Sequence, residues 1–227
     1  MEMCNHPYVT IPFSRSSPMP RPIRLALLLL TALALPLSAQ AQKRPDGWKV
    51  RLDDPGPDST KLVFAAMAPG WHVTTGPSVI LFNPATTAKG AFKVESKFNL
   101  FKPGSGHAEA YGVFIGGTNL DAENEGYTYF LIRNDGQYLV KQRVGKETKD
   151  VIPWTASPAI KLFDGKSESV ANTLTIVASP TSVDFLINGT RAATQPRTAV
   201  ATDGVVGLRV NHNLNLHVSS LDVTATK

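Results

Sequence analysis

One cysteine, Cys4, occurs in the 227 residues, and it stands near the start of the chain. A thiol nucleophile, a cysteine metal centre and a disulfide framework are thereby excluded from everything downstream. Metal-binding histidine spacings are missing as well. His72, His107, His212 and His217 form neither His-x-His nor His-x-x-x-His, so no catalytic zinc and no metal ligands are assigned. There is no Gly-x-Ser-x-Gly elbow and no phosphate loop. Beyond residue 41 no stretch carries a helical period with caps. Charge of one sign is scarce too. The formal net charge of +5 is spread evenly, which does not suit nucleic acid or an anionic lipid surface.

What is present begins with an address. Arg21 and Arg24 precede the apolar run Leu25–Leu35, and Ala39-Gln40-Ala41 follows. Positive charge, a short apolar run and a small-residue site together form a secretory signal peptide. The run falls short of the about 20 residues that a membrane span needs. Residues 1–41 are therefore expected to be removed, with 1–18 read as an over-long start before Met19. Residues 42–227 are expected to form one domain, periplasmic or extracellular and not membrane-spanning.

Glycine, proline, asparagine and aspartate punctuate this domain at short intervals, which breaks it into many short strands. Among the predicted strands are Val79–Phe82, Ala91–Phe101, Ala110–Ile115, Tyr127–Arg133, Tyr138–Val144, Asp150–Pro153, Val183–Ile187, Gly204–Val210 and Leu214–Thr224. Asn134-Asp135-Gly136, Asn188-Gly189 and Asn211-His212-Asn213 read as the turns between neighbouring strands. Asn188-Gly189-Thr190 also matches a glycosylation acceptor, and the turn reading is preferred. Alternation sets the faces: Val183, Phe185 and Ile187 oppose Asp184, while Phe92, Val94, Phe98 and Leu100 oppose Lys93, Glu95, Lys97 and Asn99. The fold class is all-β, with two antiparallel sheets packed as a sandwich. Tyr127–Arg133 differs because both of its faces carry large groups, as a strand does when core lies on one side and a concave floor or a covering loop on the other.

The succession Gly70-Trp71, Phe92-Lys93-Val94, Tyr111 to Gly117, Gly126 to Arg133, Asp135-Gly136, Trp154-Thr155, Asn172 to Ile176, Asn188-Gly189 and Gly204 to Leu208 resembles the concanavalin A-like jelly-roll superfamily. Within it, the chain is most similar to bacterial secreted laminin-G-like and 3-keto-disaccharide hydrolase-like domains. The resemblance implies a jelly-roll β-sandwich whose ligand lies on the concave sheet or at its rim. It also implies a carboxylate after the Gly-Tyr pair in hydrolase members. Here that position is Thr128, which argues against the hydrolase chemistry.

Two kinds of site follow. Glycoside hydrolysis needs a pair of carboxyl groups, for which Glu109, Asp121 and Glu123 are the candidates. The Asn119–Glu125 loop could also hold a structural calcium, which related folds often carry, though it lacks a spaced ligand ladder. No other cofactor is expected. Sugar binding needs an aromatic platform beside polar donors, and Tyr111, Tyr129, Arg133, Gln142 and Trp154 are the candidates. Tyr129 and Arg133 are evenly spaced on one strand and so share a face. The expected function is non-catalytic binding of a carbohydrate or cell-envelope glycan. The alternatives are a 3-keto-disaccharide glycosidase and a structural or protein-binding envelope domain.

Overall fold

The two-residue alternation becomes fourteen strands in the computed structural model, which describes residues 44–54, 57–103 and 108–226. The predicted signal peptide with its cleavage site lies outside these residues, as does His107. The strands are β1 (Lys49–Leu52), β2 (Val63–Ala66), β3 (Trp71–Thr74), β4 (Val79–Ala88), β5 (Phe92–Phe101), β6 (Ala110–Thr118) and β7 (Gly126–Arg133). After them come β8 (Gln137–Val144), β9 (Glu147–Ala156), β10 (Ser169–Ala178), β11 (Ser182–Ile187), β12 (Thr190–Pro196), β13 (Gly204–Val210) and β14 (Asn215–Ala225). They form two antiparallel sheets of seven. The front sheet runs β1-β4-β13-β6-β7-β8-β9, and the back sheet runs β12-β11-β10-β5-β14-β3-β2.

The anticipated apolar faces meet between the sheets. Phe98 and Leu100 of β5, Val183, Phe185 and Ile187 of β11, and Leu216 and Val218 of β14 have no solvent exposure. Truncating one of these phenylalanines to alanine costs about 3–5 kcal/mol. Among the described residues no helix is long and apolar enough to cross a membrane.

Turn chemistry holds at the predicted corners. Gly136 takes φ 83° between β7 and β8, Asn188 and Gly189 take 51° and 81° between β11 and β12, and Asn213 takes 50° before β14. Asn188 also works as a tertiary tie, because its Nδ2 donates to the Ala159 carbonyl (2.7 Å) and to Asn172 Oδ1 (2.8 Å). Some strand limits depart from expectation. β4 continues to Ala88 through Pro84, which lies beyond the last β1 pairing (Lys49 with Phe82) and inside the register break of β13 between Val205 and Gly207. A missing N–H costs no ladder bond there. β9 extends from Glu147 to Ala156. The edge strand β12 has no buried residue to announce it.

Which way the front sheet curls follows from one contact. β1 and β8 are five strand spacings apart, about 24 Å on a flat sheet. Asp53 follows β1 and is still held at the edge by its N–H, which bonds the Ser78 carbonyl at 2.9 Å. Yet Asp53 Oδ2 lies 3.5 Å from Arg143 Nη2 of β8. Two side chains cannot bridge a flat gap of that size. The face of the front sheet turned away from the core is therefore concave.

Candidate binding face of the front sheet

Register brings the concave face together row by row. One row reads Arg51, Ile80, Arg209, Gly112, Leu131 and Leu139 from β1 to β8. The next reads Lys49, Phe82, Gly207, Phe114, Tyr129, Lys141 and Asp150 from β1 to β9. Ile80, Phe82, Phe114, Tyr127, Tyr129, Leu131 and Leu139 form a second apolar cluster here, each 5% exposed or less. Gly207 makes room for it: a Cβ at 207 would stand 2.5 Å from the Phe114 ring and from the Leu81 carbonyl.

Charged groups lie over this apolar floor. Arg209, with 7% of its side chain exposed, grips Asp53 through both terminal nitrogens, one of them 3.0 Å from Oδ1. The same Nη1 donates to the Tyr127 hydroxyl at 2.9 Å. Arg143 lies between Asp53 (3.5 Å) and Glu125 (3.6 Å), and Arg51 Nε closes the chain on Glu125 at 2.7 Å. Burial alone would raise the Asp53 carboxyl, but the hydrogen bond and charge of Arg209, with Arg143 behind them, hold it below its ordinary value. Burial raises Glu125 above its ordinary value, with Arg51 and Arg143 offsetting part of the effect. Burial also pushes the Tyr127 hydroxyl up to about 12, so it stays protonated.

Beside this network an open recess of about 230 Å³ is lined by Tyr129, Leu131, Leu139, Lys141, Trp154, Arg209 and Asn211. Gly112 lies between Arg209 and Leu131 in the row, and a Cβ there would stand 2.1 Å from the Phe130 carbonyl. The Arg209 guanidinium stands 4.9 Å over the Tyr129 ring, and that of Arg133 stands 4.1 Å over the Trp154 ring. Each of these cations is paired with a carboxylate: Arg209 with Asp53, which Arg143 shares, Lys141 with Asp150 at 3.0 Å, Arg133 with Asp135 at 2.7 Å. A larger recess of about 390 Å³ lies by the edge strands β1 and β2, lined by Arg44, Val50, Leu62, Val63 and Phe64. It offers one polar side chain and is the poorer site in chemical terms.

The sugar-platform candidates divide. Tyr129, Arg133 and Trp154 meet on the concave face. Tyr111 points into the core, 1% exposed, against Phe98 and beside Asn172. Its hydroxyl cannot reach a ligand on that face. Gln142 pairs with Thr128 and alternates to the opposite side of β8 from Lys141. Thr128 itself points inward, fully buried, and donates to the Ala201 carbonyl at 2.8 Å. An acid there would point inward as well, so Thr128 carries no information about the open face. Arg209, Asp53 and Asn211 were not anticipated. An arginine between the core residues Leu208 and Val210 was the available signal, since a charge in an apolar strand needs a buried partner.

The acidic candidates are scattered. Asp121 is exposed and pairs with Lys49, and Glu123 is exposed. The Asn119–Glu125 loop is gathered around Arg51, whose Nη1 donates to the carbonyls of Leu120 and Ala122 at 3.1 and 2.6 Å. Among the described residues no three His, Cys, Asp or Glu side chains cluster as metal ligands. Glu109 Oε2 lies 3.7 Å from His212 Nδ1, and Ser78 Oγ lies 3.2 and 3.4 Å from the two His212 nitrogens. Ser78 Oγ thus sits nearly midway between the two ring nitrogens, whereas a nucleophile relay needs the serine aligned on the nitrogen opposite the one that faces the carboxylate.

No protein-family model matches the chain, and no curated protein matches its sequence. Solved structures do match its architecture. A carbohydrate-binding module, CBM66 from Bacillus subtilis, superposes with a TM-score of 0.58 at 13% identity, covering 79% of this chain and 96% of that one. A Bacillus subtilis protein of unknown function with a galectin-like fold gives 0.57 at 11% identity, over 78% and 89%. The Bacillus licheniformis β-glucanase gives 0.55 at 10% identity, over 81% and 95%. At such identities the likeness is one of fold. With its two seven-stranded antiparallel sheets, the chain has the concanavalin A-like jelly-roll fold.

Proposed function

We propose that this protein is exported and binds a neutral glycan, without hydrolysing it, in the recess over Tyr129, Leu131, Leu139 and Trp154. The carrying observation is that every cation at the recess is paired with a carboxylate. Paired groups offer donors and acceptors side by side with little net charge, which suits vicinal hydroxyls. An anionic ligand would have to displace the carboxylates. The apolar floor and the Trp154 indole, 36% exposed, supply a surface for the apolar face of a pyranose. Carbohydrate-binding and galectin-like modules among the structures of the same fold support this reading. Export rests on the Arg21 to Ala41 pattern.

Binding is favoured over hydrolysis because the acids of this network serve as counterions. Asp53 is tied to Arg209 and Arg143, and Glu125 to Arg51 and Arg143. Neither has a carboxyl oxygen free of guanidinium partners in the way a general acid requires. The test is a glycan array probed with the wild-type chain and with Trp154→Ala. Retention of neutral oligosaccharides by the wild type, lost in the variant, supports the reading. Selective retention of uronic or sulfated sugars overturns it.

A further inference from the structure

The outer face of the back sheet holds a feature that no spacing in the sequence reveals. His72 of β3 and His217 of β14 are directly opposed across the ladder, although 145 positions separate them in the chain. The row continues to Ala65 on one side and to Asn99 and Ala171 on the other. A small residue thus flanks His72, and an amide side chain flanks His217. Phe101 closes in diagonally, its ring centroid 6.0 Å from that of His72.

The Nδ1 atoms of both rings are shielded from solvent, and neither has a hydrogen-bond partner. Unpaired buried nitrogens are costly unless something occupies them. His72 Nε2 lies 3.2 Å from Thr74 Oγ1. If that nitrogen carries the proton and donates it to the hydroxyl, Nδ1 is left with the lone pair. A metal-ligating histidine has this arrangement, its second nitrogen tied to an outer partner. Directly opposed residues place their Cβ atoms about 4.5–5.5 Å apart. Two imidazole nitrogens at about 2.0–2.1 Å from a shared ion can span that separation. Asn99 spends its Nδ2 on Ser219 Oγ (3.0 Å) and on the His217 carbonyl (3.4 Å), and it keeps Oδ1 as an oxygen donor.

We propose that His72 and His217 form a site for one divalent first-row transition ion, Zn²⁺ or Cu²⁺, on the sheet opposite the glycan face. Imidazole nitrogen selects these ions over Mg²⁺ and Ca²⁺, which take oxygen shells. With two protein nitrogens, Asn99 and water complete the coordination, and the site is one of binding and cross-strand bracing. The proposal is independent of the glycan reading.

The full chain is titrated with Zn²⁺, with Mg²⁺ as the control, while imidazole nitrogen resonances are followed by NMR. The Nδ1 signals of His72 and His217 are expected to move together and saturate at one equivalent, with His212 unmoved and Mg²⁺ without effect. His72→Gln and His217→Gln should each weaken binding at least tenfold. Cu²⁺ should broaden backbone signals around β3 and β14 first. A response centred on His212, a response of one ring alone, absence of saturable binding, or unchanged affinity in either variant overturns the site. Should a variant fail to fold, the coupled movement of the two wild-type rings decides the matter.

Discussion

Arg209 of β13 places its guanidinium 4.9 Å over the Tyr129 ring of β7, across a strand that carries only Gly112 at the intervening position of the Arg209 row. The cation is held there from behind by Asp53 and Tyr127. A floor residue and a fixed cation thus define one side of the recess.

That arrangement makes Asp53 the most sensitive acid in the front sheet. Asp53→Ala leaves Arg209 buried without its counterion, and breaking such a pair costs about 3–5 kcal/mol. Urea unfolding should show the midpoint fall, with Asp53→Asn less severe because it can still accept from the guanidinium. A loss below about 1 kcal/mol for Asp53→Ala, the range of an exposed ion pair, would contradict the account.

The two acids of the network should respond to pH in opposite senses. The Asp53 carboxyl is lowered on folding, so its stabilisation is complete above its unfolded value of about 3.9 and is lost as pH falls through the depressed folded value. Glu125 is raised by burial, so its contribution runs the other way and declines as pH rises through the folded value. Carboxyl carbon NMR should show Glu125 titrating above an ordinary glutamate and Asp53 below an ordinary aspartate. The reverse order would show the network to be misassigned.

Gly207 is a packing requirement of the second apolar cluster. Gly207→Ala sets a methyl 2.5 Å from both the Phe114 ring and the Leu81 carbonyl. Overpacking of this kind costs about 1–3 kcal/mol, measurable by thermal unfolding. A neutral outcome would mean that both the Phe114 ring and the Leu81 backbone yield.

Hydrolysis is expected to be absent. The wild-type chain should release no product from ordinary or 3-keto disaccharides, and Glu109→Gln should leave glycan binding within twofold. Turnover that disappears in Glu109→Gln or Glu125→Gln would restore the glycosidase reading.

Alternation and turn residues made most of the sandwich legible, because a period of two sorts each strand onto its faces without knowledge of its partners. β12 escaped because an exposed edge strand has no face to bury. The site was legible only in part. Tyr129 and Arg133 share a strand, so their common face follows from spacing. Trp154 joins them only through the pairing of β8 with β9. Tyr111 could have been set aside, since it shares parity with Val113 and Ile115 of the core. The pairing of Arg209 with Asp53, 156 residues apart, depends on strand order and curvature, and the opposition of His72 and His217 depends on register. Neither is written in local sequence.

The central claim is that the recess over Tyr129 and Trp154 receives a neutral glycan. Its most direct test is amide and indole NMR of the chain during titration with a neutral oligosaccharide retained on the array. The account predicts saturable shifts of the Trp154 indole and of the Tyr129, Lys141 and Asn211 amides, with β3, β5 and β14 silent. Shifts centred on the back sheet, or on the β1–β2 edge recess with Trp154 unmoved, would contradict it.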